Sequence, residues 1–175
     1  MPDFSGQASD VAIRFHRDSE WSVSSRKDDV RVWRVHAPSE RAVDLFLRLS
    51  SHLDAVVDVA IHHPRDGTNW FGALRALSET RDTLARLRWP LASAGGVELT
   101  LVTAEDQLSL MPTMDLVIYA RSDRWDVLLE GAGIPARESA PPPLWLPSRA
   151  PWSPAPELSA ALATAVERLE LEPEA

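Results

Sequence analysis

Eight of the fourteen prolines fall between residues 135 and 156, and nothing else in the sequence restricts the fold as much. Proline fixes φ and removes an N–H donor, so neither a helix interior nor a central strand can run through this stretch. It sets apart a body over residues 10–134, a Pro/Trp-rich connector over 135–156, and a C-terminal helix with an acidic tail over 157–175. Residues 1–9 are small and polar and are expected to be disordered. Leu144, Trp145, Leu146 and Trp152 ride on the connector's stiff, polyproline-like backbone. They can strap across the chain's own body or dock in an aromatic-lined groove of a partner. Each indole hides roughly 150–250 Å² when buried, which favours the strap.

Within the body, apolar side chains recur at the spacings that separate strands from helices. Val11, Ile13 and Phe15 alternate and predict a first strand, the polar residues 17–29 predict an exposed hairpin loop, and Val30 to Ala37 predicts a second strand. Ser39 is placed to cap a helix over residues 40–53, whose stripe is Ala42, Leu45, Phe46, Leu49 and Leu53. Residues 55–62 predict a third strand. Trp70, Leu74, Leu77, Leu84, Leu87 and Leu91 predict one long helix that starts at Thr68 or Asn69, runs to about Arg88 and is kinked or ended by Pro90. Residues 97–103 alternate cleanly, a polar loop follows from Ala104 to Gln107, and residues 114–120 form an almost continuous apolar strand. Ser122 caps a short helix over 123–130 that Gly131 and Gly133 end. The expected fold class is α/β, with α+β as its variant. It is a mixed sheet of about five strands in the order β-β-α-β-α-β-β-α, partly parallel through right-handed crossovers, with helices packed on it.

Composition removes several classes of function. The chain is 45% apolar and 25% charged, as a globular domain is, and its net charge of −8 disfavours nucleic acid and anionic membranes as partners. No run approaches the ~18 apolar residues of a membrane span, and Met1 to Gly6 has no signal-peptide pattern. The absence of cysteine excludes disulfides, thiolate metal sites and thiol nucleophiles, and makes the cytoplasm the expected compartment. Seventeen of the 18 basic residues are arginine, which points to a GC-rich, bacterial coding genome.

Candidate chemistry is sparse. His62 and His63, near Asp66, sit at the end of the third strand, where α/β sheets bind ligands. Adjacent strand residues point to opposite faces, so no shared metal is expected. If residues 17 and 30 pair across the hairpin, His36 faces Val11 and is remote from His16. Asp28-Asp29 and Glu105-Asp106 read as solvated loop acids. No nucleophile-elbow, phosphate-loop or dinucleotide motif occurs, so no cofactor is expected. Arg121 and Arg124 could recognise a carboxylate or phosphate near a helix N-terminus. The competing reading of that segment is structural: Asp123 starts the helix, an arginine pairs with it, and Trp125 packs on the sheet. The spacing of Trp70, Leu77, Leu84 and Leu91 suits a helical partner, though such a stripe is more often core.

The sequence therefore leads to a soluble, non-enzymatic protein acting through a protein partner, as an adaptor, immunity-type or assembly component. The alternative is a small-ligand sensor or enzyme with a pocket formed by His62, Asp66, Arg121 and Arg124. A homodimer, through the long helix or the tail, is compatible with either.

Overall fold

The structure, a computed structural model, describes residues 20–64, 67–141 and 156–174. The expected strand at Val11 to His16, Asp66, and the four apolar residues Leu144, Trp145, Leu146 and Trp152 lie outside them.

The first described elements are a hairpin, β1 (Trp21–Lys27) and β2 (Val30–His36), with Lys27 paired to Val30. Asp28 turns the chain at φ 56, a conformation aspartate tolerates better than most residues. The polar stretch expected as a loop is thus a strand. Only Trp21 and Val23 give it apolar character, because it lies next to the sheet's edge. Its register sets Trp21, not Val11, opposite His36.

Helix α1 (Ser39–Ser50) buries Ala42, Val43, Leu45, Phe46 and Leu49. Ser39 is its first residue rather than its cap, since the capping position belongs to Pro38. Strand β3 (Val56–His63) turns directly into β4 (Thr68–Ala76), and the expected long helix begins only at α2 (Leu77–Ala85). A second short helix, α3 (Arg88–Ala94), carries Pro90 in its first turn, where an amide N–H has no helical acceptor to lose. The Trp70-to-Leu91 series is therefore no partner stripe: Trp70 lies on a strand and Leu74 on a strand bulge at φ 56.

Three antiparallel strands follow: β5 (Glu98–Val102), β6 (Asp106–Leu110) and β7 (Leu116–Ala120). Strand β6 falls partly in the stretch expected as a loop. Helix α4 (Arg124–Gly131) begins where Ser122 Oγ accepts the Arg124 N–H at 3.2 Å. It ends with the Ile134 N–H on the Leu129 carbonyl and Gly133 at φ 80, the six-to-one closure that glycine permits. Then come β8 (Ala136–Arg137), α5 (Pro156–Arg168) and β9 (Glu172–Pro173).

The fold is of the mixed α/β class, with a nine-stranded sheet ordered β8-β1-β2-β7-β6-β5-β3-β4-β9. Among the described strands only β1 and β8 pair in parallel, so the expected crossovers through the middle of the chain are replaced by hairpins. One sheet face supplies Trp33, Val35, Val57, Val59, Ile61, Leu99, Leu101, Leu108, Leu110, Leu116 and Ile118 to a single core. All five described helices add their buried residues to that same core, down to Leu158 and Leu162 of α5. Among the described residues, no helix packs on the other face.

Candidate functional site

The strand register decides whether the expected ligand residues can meet. His62 pairs with Glu98 at one end of the sheet, and Ala120, just before Arg121, pairs with Asp106 at the other. The two ends are separated by roughly 17 Å along the strands and about 14 Å across them. His62 and His63 also diverge, as alternation requires. His63 is buried on the core side, and His62 lies on the helix-free face with its ring nitrogen hydrogen-bonded to Asn69 Oδ1. Among the described residues no group of three or more His, Asp or Glu side chains is placed to hold a metal.

Arg121 and Arg124 are occupied within the protein. Arg121 Nε lies 3.2 Å from Asp29 Oδ2, and Arg124 bonds Asp106 Oδ2. Asp106, expected as a solvated loop acid, is buried at the head of β6 and also accepts the Trp125 indole N–H at 2.8 Å. The arrangement recurs one layer away. Asp126 accepts the Trp33 indole N–H at 2.8 Å and an Arg31 N–H at 2.5 Å. In each copy the arginine also stacks over the indole whose carboxylate it shares, at 5.0 Å for Arg31 over Trp33 and 5.6 Å for Arg124 over Trp125. Asp123 adds bonds to Arg26 at 2.7 Å and Arg31 at 3.2 Å. Two buried indoles with their polar tips satisfied are thus locked between α4 and the sheet. Within this cluster each guanidinium has a carboxylate partner: Arg26 with Asp123, Arg31 with Asp126, Arg121 with Asp29 and Arg124 with Asp106.

Two further groupings went unseen in the sequence. His36 Nδ1 meets Asp115 Oδ1 at 2.6 Å, its ring stacks on Trp21 at 5.2 Å, and Thr113 donates to the second Asp115 oxygen at 3.1 Å. On the helical side, Arg88 forks onto both oxygens of Asp44 at 2.5 and 2.9 Å and lies over Trp89. That hydrogen bonding holds the Asp44 carboxyl below its ordinary pKa, and the Asp44 carboxylate in turn raises that of Arg88. Both groupings join residues far apart in sequence, so only strand register or helix packing could have disclosed them.

The helix-free face is the remaining feature. Register puts Val23, Val32, Val117, Tyr119, Val102, Val56 and Phe71 on it, none of them part of the core. Phe71 and Tyr119 are each 41% exposed and Val56 47%. No helix among the described residues is long and apolar enough to cross a membrane. Compared with models of protein families, with curated proteins and with solved structures, the chain matches none.

Proposed function

We propose that this is a non-catalytic protein that acts by binding another protein chain, with the helix-free face of its sheet as the contact surface. The observation that carries this reading is the row of exposed or half-buried apolar side chains on that face, Val32, Val117, Tyr119 and Phe71 among them. Exposed aromatic side chains such as Tyr119 and Phe71 are the usual anchors of an interface. The ligand-pocket alternative loses its support: His62 and Arg121 stand at opposite ends of the sheet, and both arginines already hold carboxylates. An adaptor or assembly component in the cytoplasm is the role that suits such a surface.

The test is affinity purification from the native cell with the full chain and a Phe71→Ser/Tyr119→Ser variant, with circular dichroism to verify folding. Specific association, with a second copy or with another protein, is expected for the first and lost for the second. Association that survives the two substitutions unchanged places the contact elsewhere and sinks the reading.

A further inference from the structure

Three of the six large apolar side chains that the described residues leave exposed stand together at one corner of the sheet: Val56, Phe71 and, at 79% exposure, Leu74. They flank Asp58. Val56 lies two residues before it on β3, and Phe71 pairs with Ala60, two residues after it. Diagonal neighbours of this kind stand about 7–8 Å apart, within reach of an aromatic ring. Between the pairs Val59–Gly72 and Val57–Arg75, β4 sets Ala73 and Leu74 against Asp58 alone. This bulge places Leu74 at φ 56, and the Leu74 N–H donates to Asp58 Oδ1 at 2.8 Å. The corner is also anionic, and its charge is unanswered. Neither Asp58 nor Glu172, which pairs opposite Phe71 on β9, enters an ion pair among the described residues. Arg75, the one guanidinium on β4, is bonded to Glu170. Lys27 and Arg34, on β1 and β2, stand at least about 24 Å away across the strands.

An apolar patch alone suits any hydrophobic partner, and a free carboxylate alone is well served by water. Together they suit a side chain that is apolar along its stem and cationic at its tip, which means lysine or arginine. We infer that this corner receives a basic, amphipathic segment of a different protein, with one cation on Asp58, its alkyl stem over Phe71 and Leu74, and a second cation on Glu172. This rests on the binding reading above, confines it to the Phe71 corner and names the chemistry of the occupant. Asp58 is half-buried and spends one oxygen on the Leu74 N–H, so its other oxygen offers a partly desolvated contact, stronger than one at an open rim. Phe71 adds the face of an aromatic ring to the same cation. Asp58 and Glu172 are two strand spacings and one pleat apart, about 12 Å. Basic residues four apart on an extended strand, or two turns apart on a helix, span that distance with an apolar residue between them. The chain's net charge of −8 draws such a segment in.

The experiment uses the full chain and two fluorescein-labelled peptides of leucine and lysine, each about 14 residues long, one patterned as a helix and one alternating as a strand. Binding is read by fluorescence anisotropy. At least one peptide is expected to bind, and its counterpart with glutamate for lysine is not. Asp58→Asn/Glu172→Gln is expected to raise the dissociation constant at least roughly tenfold, and Leu74→Ser by a similar factor. Asparagine at 58 keeps an oxygen for the Leu74 N–H, and circular dichroism verifies that each variant is folded. Glu130→Gln/Glu138→Gln removes the same charge from exposed positions elsewhere and is expected to leave binding within about twofold. Failure of both lysine peptides to bind overturns the inference, as does an equal loss with Glu130→Gln/Glu138→Gln, which would make the attraction one of net charge. A wild-type dimer in light scattering that Asp58→Asn/Glu172→Gln dissolves would make the occupant a second copy and overturn it as well. A protein captured from the native cell that is lost with Phe71→Ser/Tyr119→Ser but kept by Asp58→Asn/Glu172→Gln overturns this inference and leaves the broader binding reading standing.

Discussion

Asp106 shows how one side chain can set the cost of a site. It is buried, accepts the Trp125 indole N–H on one oxygen and holds Arg124 on the other, so asparagine, with one oxygen and an NH2, can serve only one of the two and sets a buried donor against the other. Asp126 makes the equivalent bonds from a half-exposed position, where water can replace it. Asp106→Asn is expected to cost about 2–3 kcal/mol and Asp126→Asn about 1 kcal/mol, read as the difference in urea unfolding. Equal effects would contradict the role assigned to burial. Asp44 carries the pH dependence. Its folded pKa is depressed below 3.8 by the Arg88 hydrogen bonds, so its contribution is complete above that value and is lost as the pH falls through the folded pKa. Asp44→Asn is therefore expected to lower the unfolding midpoint at neutral pH and to match wild type in acid. A deficit that persists unchanged at low pH would assign the effect to packing.

Strand β4 is the element on which sequence and structure part company. Trp70, Leu74 and Leu77 fall at helical spacing by coincidence, while the pairing of Thr68 through Gly72 with β3 decides the conformation. Tertiary pairing overrides a four-residue rhythm, and β6 was hidden in the same way because Asp106 and Gln107 look like loop residues until Leu108 and Leu110 are paired. Helices α1, α4 and α5 and strands β2, β3, β5 and β7 were legible, since each buries one face and keeps its own period. The helix-free face was not, because its apolar residues are gathered from six strands and only register brings them onto one side of the sheet. Two substitutions probe β4. Leu74 is 79% exposed at φ 56, so Leu74→Gly removes backbone strain with little lost burial and is expected to stabilise by about 0.5–1 kcal/mol. At Gly72 an added Cβ would come within 2.5 Å of Leu171 Cδ2 and 2.9 Å of Arg75 Nε, displacing the buried Leu171 beside β9. Gly72→Ala is expected to destabilise by about 1–3 kcal/mol and to speed amide exchange at Glu174, whose N–H bonds the Asn69 carbonyl. Unaltered exchange there would show that the clash is absorbed without moving β9.

At the scale of the molecule, the proline-rich stretch joins two parts of one core rather than separating two domains. Leu158, Leu162 and Leu169 from α5 and its end, with Leu171 before β9, are buried in that one core, with α5 packed on α2 and α3. Each buried leucine is worth roughly 2 kcal/mol, so the four together amount to about 8 kcal/mol. Whole domains of this size have net stabilities of only about 5–15 kcal/mol. A chain ending at Ala155 is therefore expected to lose its cooperative thermal transition, although it keeps eight strands and four helices of the described fold. Adding residues 156–175 back as a separate peptide should restore the transition only at high peptide concentration, because the covalent connection supplies α5 at a high effective concentration. A truncated chain that melts cooperatively near the full-length midpoint would make α5 an appendage. The sheet, α1 and α3 would then have to hold the core closed without it.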